Sequence, residues 1–477
     1  MSTTPDLNRR SVLRRAAAVG LLATPAASLL AACAGGTDDK DADKGATSAD
    51  NPFGVKEGST VNVVVFNGGL GDEYPKFDKT LFNAKHPKVT VNLSSTQKIK
   101  TEQQPKFATT PADLINNSGA DNMANDALIK DGALADLEDL LAAGSWEDAA
   151  VKVKDTLLPG TVTDGTQQGK FYILNYAFTV FGVWYNQALF DKNGWTVPKT
   201  FDEFFTLSDK IKAAGIAPFT FAGFYPYYGR WAINAWIWLA GGEQAFIDID
   251  NLKEGAWKTP EVTAALQAVE KLASKTGGYT LKGSETLTHT QSQQAFLDGK
   301  AAFLPVGTWL ENEMKATIPA DFKLKIAPFW SVSGSDKAPY GSVQAGAGEG
   351  WIVPAKAPNK EGGKEFLRAM LSKEGAGKFA SLTASLASRA GSGDAVTDKP
   401  SLESANAVMK AAPGKLISWK YDGWYASYDK ASQAGIGEFL AGRITAAQFA
   451  DRMEAAAKAV VKEIADGKAV KQTRTAA

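Results

Sequence analysis

The chain is short of the side chains from which most catalytic centres are built. It has two histidines, His86 and His289, far apart in sequence, and one cysteine, Cys33. A classical zinc site therefore lacks ligands, and a Ser-His-Asp or Cys-His relay lacks candidates. Gly68-Gly69-Leu70-Gly71 follows an apolar run, but Tyr74 stands where the third glycine of GxGxxG belongs, and no GxxxxGK[ST] occurs. The loop reads instead as a glycine-rich rim that lets backbone approach a ligand. No cofactor and no metal are expected. Two chemistries stay open. Glycoside hydrolysis needs two carboxylates about 5–10 Å apart, and Glu73 and Glu349 could be proposed, although no DxxDxDxE run and no eightfold βα pattern accompany them. The other is stacking on aromatic faces, for which the chain carries 12 Trp, several beside glycine.

The elements that must position these residues read as α/β. Val61–Phe66 is a β-branched run that predicts a buried strand ending in the polar loop 67–73. A helix pattern follows from Tyr74 to about His86. Val89–Leu93 and Ala112–Ile115 are further strand candidates, the latter ending in Asn116-Asn117-Ser118-Gly119. Strand, loop, helix and strand alternate as in an α/β sheet, whose ligands sit beyond the carboxyl ends of the strands, where these polar loops fall. Thr200 with Glu203, Thr259-Pro260-Glu261, and Thr445 with Gln448 predict helix starts. With 477 residues, 44% apolar and 22% charged, the chain suits two large lobes. Lys+Arg and Asp+Glu both number 52, so no basic excess invites nucleic acid.

Arg9, Arg10, Arg14 and Arg15 precede an alanine-rich apolar stretch from Ala16 to Ala32, interrupted by Gly20 and Pro25. A basic start before a short apolar segment has the shape of an export signal, and Arg9-Arg10 looks like a twin-arginine signal. The stretch is short for a stable membrane span. It ends Leu30-Ala31-Ala32-Cys33, which resembles a bacterial lipobox, whose cysteine is lipidated. The expectation is a signal peptide over 1–32, a lipid anchor on Cys33 sufficient for durable attachment, and a flexible tether over 33–54. The expected location is the extracytoplasmic face of the cell membrane.

An ordered set of segments resembles family 1 extracellular sugar-binding proteins, the group that includes maltose-binding protein. It comprises Thr110–Leu114, Gly132–Leu137, Gly169–Leu174, Trp184–Phe190, Pro198–Phe204, Ala295–Phe303 with Gly307-Thr308-Trp309, and Asn359–Ser372. Leu174 replaces the usual proline and Phe303 the usual methionine. The opening, residues 51–74 through 114–137, looks closer still to actinobacterial N-acetylglucosamine/N,N′-diacetylchitobiose-binding lipoproteins. The resemblance implies a two-lobed, periplasmic-binding-protein-like fold of type II, with a ligand cleft between lobes joined by a multi-crossing hinge. Crossings would fall near Asn175–Phe178 and Gly348–Trp351, giving an N-lobe of 55–177 and 352–395 and a C-lobe of 178–351 and 396–477. It implies a non-catalytic receptor that hands a sugar to the transmembrane subunits of an ABC importer; the balanced charge and the lack of a coiled-coil or exposed-strand signal lead to the expectation of a monomer. Cellobiose or a maltodextrin is the alternative ligand, and an anchored glycoside hydrolase the alternative of another class.

A neutral sugar needs flat aromatic platforms and a few placed polar groups. The platforms expected are Trp231, Trp309, Trp351, Trp424 and Tyr425. Glu349 is expected to accept from hydroxyls, and Asn67, Glu73, Asn117, Ser118 and Arg389 to supply edge hydrogen bonds.

Overall fold

The computed structural model describes residues 44–158, 160–413 and 415–476. The expected signal peptide and Cys33 lie outside them. Among the described residues there are eleven strands: β1 (Thr60–Phe66), β2 (Thr90–Thr96), β3 (Leu114–Asn116), β4 (Thr166–Gln167), β5 (Lys170–Phe171), β6 (Leu174–Asn186), β7 (Ala217–Phe219), β8 (Ala301–Gly307), β9 (Leu324–Ala327), β10 (Gln344–Ile352) and β11 (Leu386–Ala387). One sheet runs β2-β1-β3-β10-β6-β8-β7, with β9 and β11 also paired to β6, and β4 and β5 form a separate hairpin.

In β1, Val61, Val63 and Val65 enter one core while Val64 enters another on the opposite face. Burial on both faces is why its sequence is a continuous β-branched run. β1 pairs parallel with β2 and β3, and β10 pairs antiparallel with β3 and β6. A first pair of cores gathers residues 53–177 and 351–387, and a second pair gathers residues 178–345 and 405–460. Only β6 and β10 contribute long stretches to both sets, so these two strands join the halves of the molecule.

The expected helix starts form, each through its own cap. Thr200 accepts from the Glu203 amide at 3.2 Å, although the Glu203 carboxylate turns to the Lys199 amide instead of closing a reciprocal box. Thr259 caps Pro260–Ala273, and Thr445 with Gln448 forms a full capping box for Ala446–Ala465. No helix among the described residues is long and apolar enough to cross a membrane.

The tether expectation fails over 44–54. Phe53 and Val55 are buried in the first core, and the Asn51 side chain bonds the carbonyls of Ala46 and Val55. Arg368, buried between Glu365 and the carbonyls of Gly144 and Ser145, also donates to the Asp50 carbonyl at 3.0 Å. Phe53, together with the Asn51 and Arg368 bonds, folds this polar segment onto the body. His86 belongs to the same network, 3.0 Å from the Glu365 carboxylate.

Asp78, in the helix Glu73–Lys85, is fully buried beside Tyr74 and Tyr176, and neither carboxylate oxygen has a hydrogen-bond partner. Burial holds its pKa well above the usual carboxylate range. The unfolded chain ionises Asp78 above its ordinary pKa, while the folded chain keeps it neutral. Stability is therefore lost as pH rises through that window, by about 1.4 kcal/mol per unit. Asp78→Asn removes the term. Its advantage in denaturant midpoint over the parent should be small near pH 4 and grow towards pH 7; a pH-independent difference would refute the neutral-acid assignment.

Candidate functional site

The site is built on the strand pair that joins the two halves. β10 lies against β6 in register from Trp351 opposite Leu174 to Gln344 opposite Phe181. Side chains alternate along each strand, so Asn175, Thr179 and Phe181 share a face with Gln344, Gly346 and Gly348. These positions floor a cavity of about 760 Å³, a volume in the range of small-ligand pockets. The glycines leave the space open. A Cβ on Gly348 would meet nothing within 4 Å, and one on Gly346 only the Asp164 carboxylate at 3.9 Å. Neither has a positive φ that would demand glycine.

One wall comes from the helix Thr161–Gly165 and the β4–β5 hairpin, the other from residues 417–424, including Trp419 and Trp424. Lys420 of the second wall donates to Asp164 Oδ1 of the first at 2.5 Å. Asp422 accepts from buried Arg230 at 2.5 Å, from Trp419 Nε1 at 3.2 Å and from the Gly423 amide at 2.9 Å. The second wall is fixed from behind. Buried Asp250 accepts from the amides of Lys420 and Tyr421, and Arg474 ties Asp250 to the Ser418 carbonyl.

Aromatic rings continue from the floor. Phe181 lies 4.7 Å from Trp231 and 5.6 Å from Trp309, whose centroids are 5.3 Å apart. Tyr227, Tyr228 and Tyr225 extend the cluster to Phe224, which is exposed. Burial pushes the Tyr227 hydroxyl up to about 12, so it stays neutral and able to donate. Glu313 holds His289 at 3.2 Å and Gln293 at 2.8 Å beside this cluster. The loop after β1 reaches it too, through the Gly69 carbonyl, which accepts from Asn312 at 2.7 Å.

The expected site residues separate into groups. Trp231 and Trp309 meet, and Trp424 lines the cavity. Ser118 and Glu349 also meet, and the Ser118 and Asn116 side chains bond the Glu349 carboxylate. That carboxyl lies deep in the body yet keeps a solvent-accessible edge, and burial, opposed by those two bonds, pushes its pKa up to about 7. Glu349 has φ 56° between two glycines, a conformation that costs a non-glycine residue on the order of 1–2 kcal/mol. The Asn117 side chain is engaged within its own loop by Met123 and Asn125. Asn67 and Glu73 are exposed; Glu73 pairs with Lys76 at 2.6 Å and shares no partner with Glu349.

Three expectations are corrected. Trp351 is fully buried in the first core, because its strand is covered on that face by the helices packed there. Tyr425 is buried in the second core, its hydroxyl accepting from the Gln472 amide. Arg389 is buried against the Leu371 carbonyl and Glu147, far from a surface role. Sequence reasoning missed Asp164, Thr179, Phe181, Gln344, Trp419, Lys420 and Asp422. The alternating glycines of Gln344-Ala345-Gly346-Ala347-Gly348-Glu349-Gly350 were the available signal for the floor. Among the described residues, no group of three or more His, Cys, Asp or Glu could hold a metal ion.

Residues 67–377 match the family described as bacterial extracellular solute-binding protein. Over 382 residues the chain is 36% identical to the diacetylchitobiose binding protein NgcE of Streptomyces coelicolor, an overlap of 78% of this chain and 79% of that one. A probable sugar-binding periplasmic protein of Rhizobium meliloti is 27% identical over 190 residues, 39% of this chain and 42% of that one. Among solved structures, a chitin oligosaccharide binding protein superposes with TM-score 0.67 at 20% identity, covering 84% of this chain and 99% of that one. RafE in complex with raffinose superposes with TM-score 0.63 at 17% identity, covering 83% and 98%. At these identities the two structures speak for the two-lobed fold alone. The matched span, the relative matched over most of both chains and the strand-joined halves with a cavity between them agree: the chain belongs to the bacterial extracellular solute-binding protein family.

Proposed function

We propose that the chain is the non-catalytic receptor of an ABC importer and captures an N-acetylglucosamine-type saccharide, N,N′-diacetylchitobiose first among them. The observation that carries this reading is the cavity over β6 and β10, walled from both halves and bordered by aromatic rings. A sugar would lay its C–H face on such rings and its hydroxyls on the Asp164 and Asp422 carboxylates. The relative named for diacetylchitobiose supports the choice of ligand. In this reading Trp231, Trp309 and Trp424 contribute aromatic surface, and Ser118 and Glu349 tension the hinge. The lobes are 55–177 with 352–395, and 178–351 with 396–477, closing on the ligand so that the permease meets the closed form. A lipid on Cys33 holds the monomer at the outer face of the cell membrane.

Calorimetry on the protein freed of residues 1–33 tests the ligand. N,N′-diacetylchitobiose should bind at micromolar or lower concentration and be recovered unhydrolysed. Binding of cellobiose or maltose in its place would discard the acetylated ligand and keep the receptor; hydrolysis would discard the receptor.

Gly348→Val tests the cavity. A β-branched residue suits a strand better than glycine and has room here, so the melting midpoint should hold or rise. Its methyl groups would occupy the ligand's space, and affinity should fall at least tenfold. Unchanged affinity would place the saccharide elsewhere.

A further inference from the structure

Gln344 opens β10 at the floor of the cavity, directly across from Phe181. It is 5% exposed, and its Oε1 is shut off from solvent without a hydrogen-bond partner. The charged groups around the cavity are in a different state: Asp164 is bonded to Lys420, and Asp422 to Arg230, Trp419 and Gly423. A buried amide oxygen with no partner is destabilising by itself, and nothing in the fold needs an amide there. The backbone of Gln344 is already ordered by its pairing with Phe181 and its bridge to Ile417.

A carboxamide presents an acceptor and donors in one plane. Either end can be turned to a ligand, since the oxygen and nitrogen exchange by rotation about the last bond. An acetamido group can meet it with its N–H on the Gln344 oxygen or with its C=O on the Gln344 NH₂. On a saccharide, a 2-acetamido substituent carries its C=O and a methyl group out beyond its N–H; a hydroxyl holds its donor and acceptors on one atom at the ring and has no methyl. Apolar lining for a methyl is adjacent, in Val162 and Ile417.

We propose that Gln344 is the residue that selects a 2-acetamido sugar over its hydroxyl counterpart, its carboxamide pairing with the acetamido group of a sugar lying against Phe181. The inference rests on the reading that a saccharide occupies this cavity. Selection arises because a site spaced for the longer acetamido group leaves its own polar group unpaired, and its methyl space unfilled, when only a hydroxyl held close to the ring takes that place.

N,N′-diacetylchitobiose and cellobiose form a matched pair for the test. They share the β-1,4-linked pyranose frame and differ in acetamido against hydroxyl at C2. The affinity ratio of the two is measured by calorimetry, with cellobiose by displacement, in the parent, in Gln344→Met and in Gln344→Glu. Met keeps the volume and removes the amide; Glu keeps the shape and an acceptor and removes the donor. The expected result is a parent strongly selective for the acetylated sugar. Each variant should lose at least tenfold of that ratio, chiefly through weaker binding of diacetylchitobiose, with an undiminished melting midpoint for Gln344→Met. A parent that binds selectively and variants that keep the ratio would overturn the role of Gln344 alone, as would variants that weaken both sugars equally. A parent that binds neither sugar, or prefers cellobiose, would overturn the ligand reading and this inference with it.

Discussion

The register of β6 against β10 decides which side chains face the cavity and which face the cores. Antiparallel pairing sets Phe181 across from Gln344 and Thr179 across from Gly346. A slip of one residue would invert every side chain on the slipped strand, sending Phe181 and Thr179 inward and turning Phe178 and Val180, now buried, into the cavity. Such a slip would strip apolar area from cores on both sides at once. The register is therefore held by the packing of two halves, and the cavity floor inherits its precision from them.

That same pair must serve as the joint. β10 is only partly buried over residues 346–349, where it floors the cavity, and it carries glycine at 346, 348 and 350 and a positive φ at Glu349 between the last two. A strained backbone persists where its surroundings over-determine it. Here the surroundings are the Ser118 and Asn116 side chains on the Glu349 carboxylate and the Gly350 carbonyl accepting from the Asn117 amide. Contacts across the halves are modest by comparison. Lys420 and Asp164 are each more than a quarter exposed, and ion pairs of that kind contribute little net stability in water. The Gly69–Asn312 bond is single. Weak bonds between halves and a firm, locally strained joint are what a molecule needs if its halves are to separate and close again.

Local signals in the sequence were legible where local physics decides the outcome. Thr259 and Thr445 cap helices because their hydroxyls bond amides three residues on, and β1 is a strand because its valines fill cores on both faces. The fold itself was legible through an ordered set of motifs. The individual platforms were less so. Trp309 and Trp351 both lie within two residues of a glycine in sequence, yet one borders the aromatic cluster and the other is sealed in a core, because burial depends on which helices cover a strand. Trp424 and Tyr425 are neighbours, and a single step along the chain sends one to the cavity and the other to the core. Lys420 and Asp164 are 256 residues apart in sequence, and no spacing rule joins them. Phe53 shows the reverse error: a polar composition suggested a tether, and this aromatic side chain, together with the Asn51 and Arg368 bonds, anchors it.

The charges around the cavity bear on the kind of solute it can hold. Its three charged lining residues, Asp164, Lys420 and Asp422, each contact an opposite charge, and the Tyr227 hydroxyl remains neutral. A charged solute would have to displace one of these partners and leave the other uncompensated in a partly buried place, which is costly. A neutral solute rich in hydroxyls displaces none of them, because paired carboxylates retain lone pairs for further donors. Neutrality alone does not distinguish one sugar from another. Discrimination has to come from a group whose bonding is incomplete until the correct substituent arrives, and on this floor the amide of Gln344 is in that condition beside a ring suited to the sugar's apolar face.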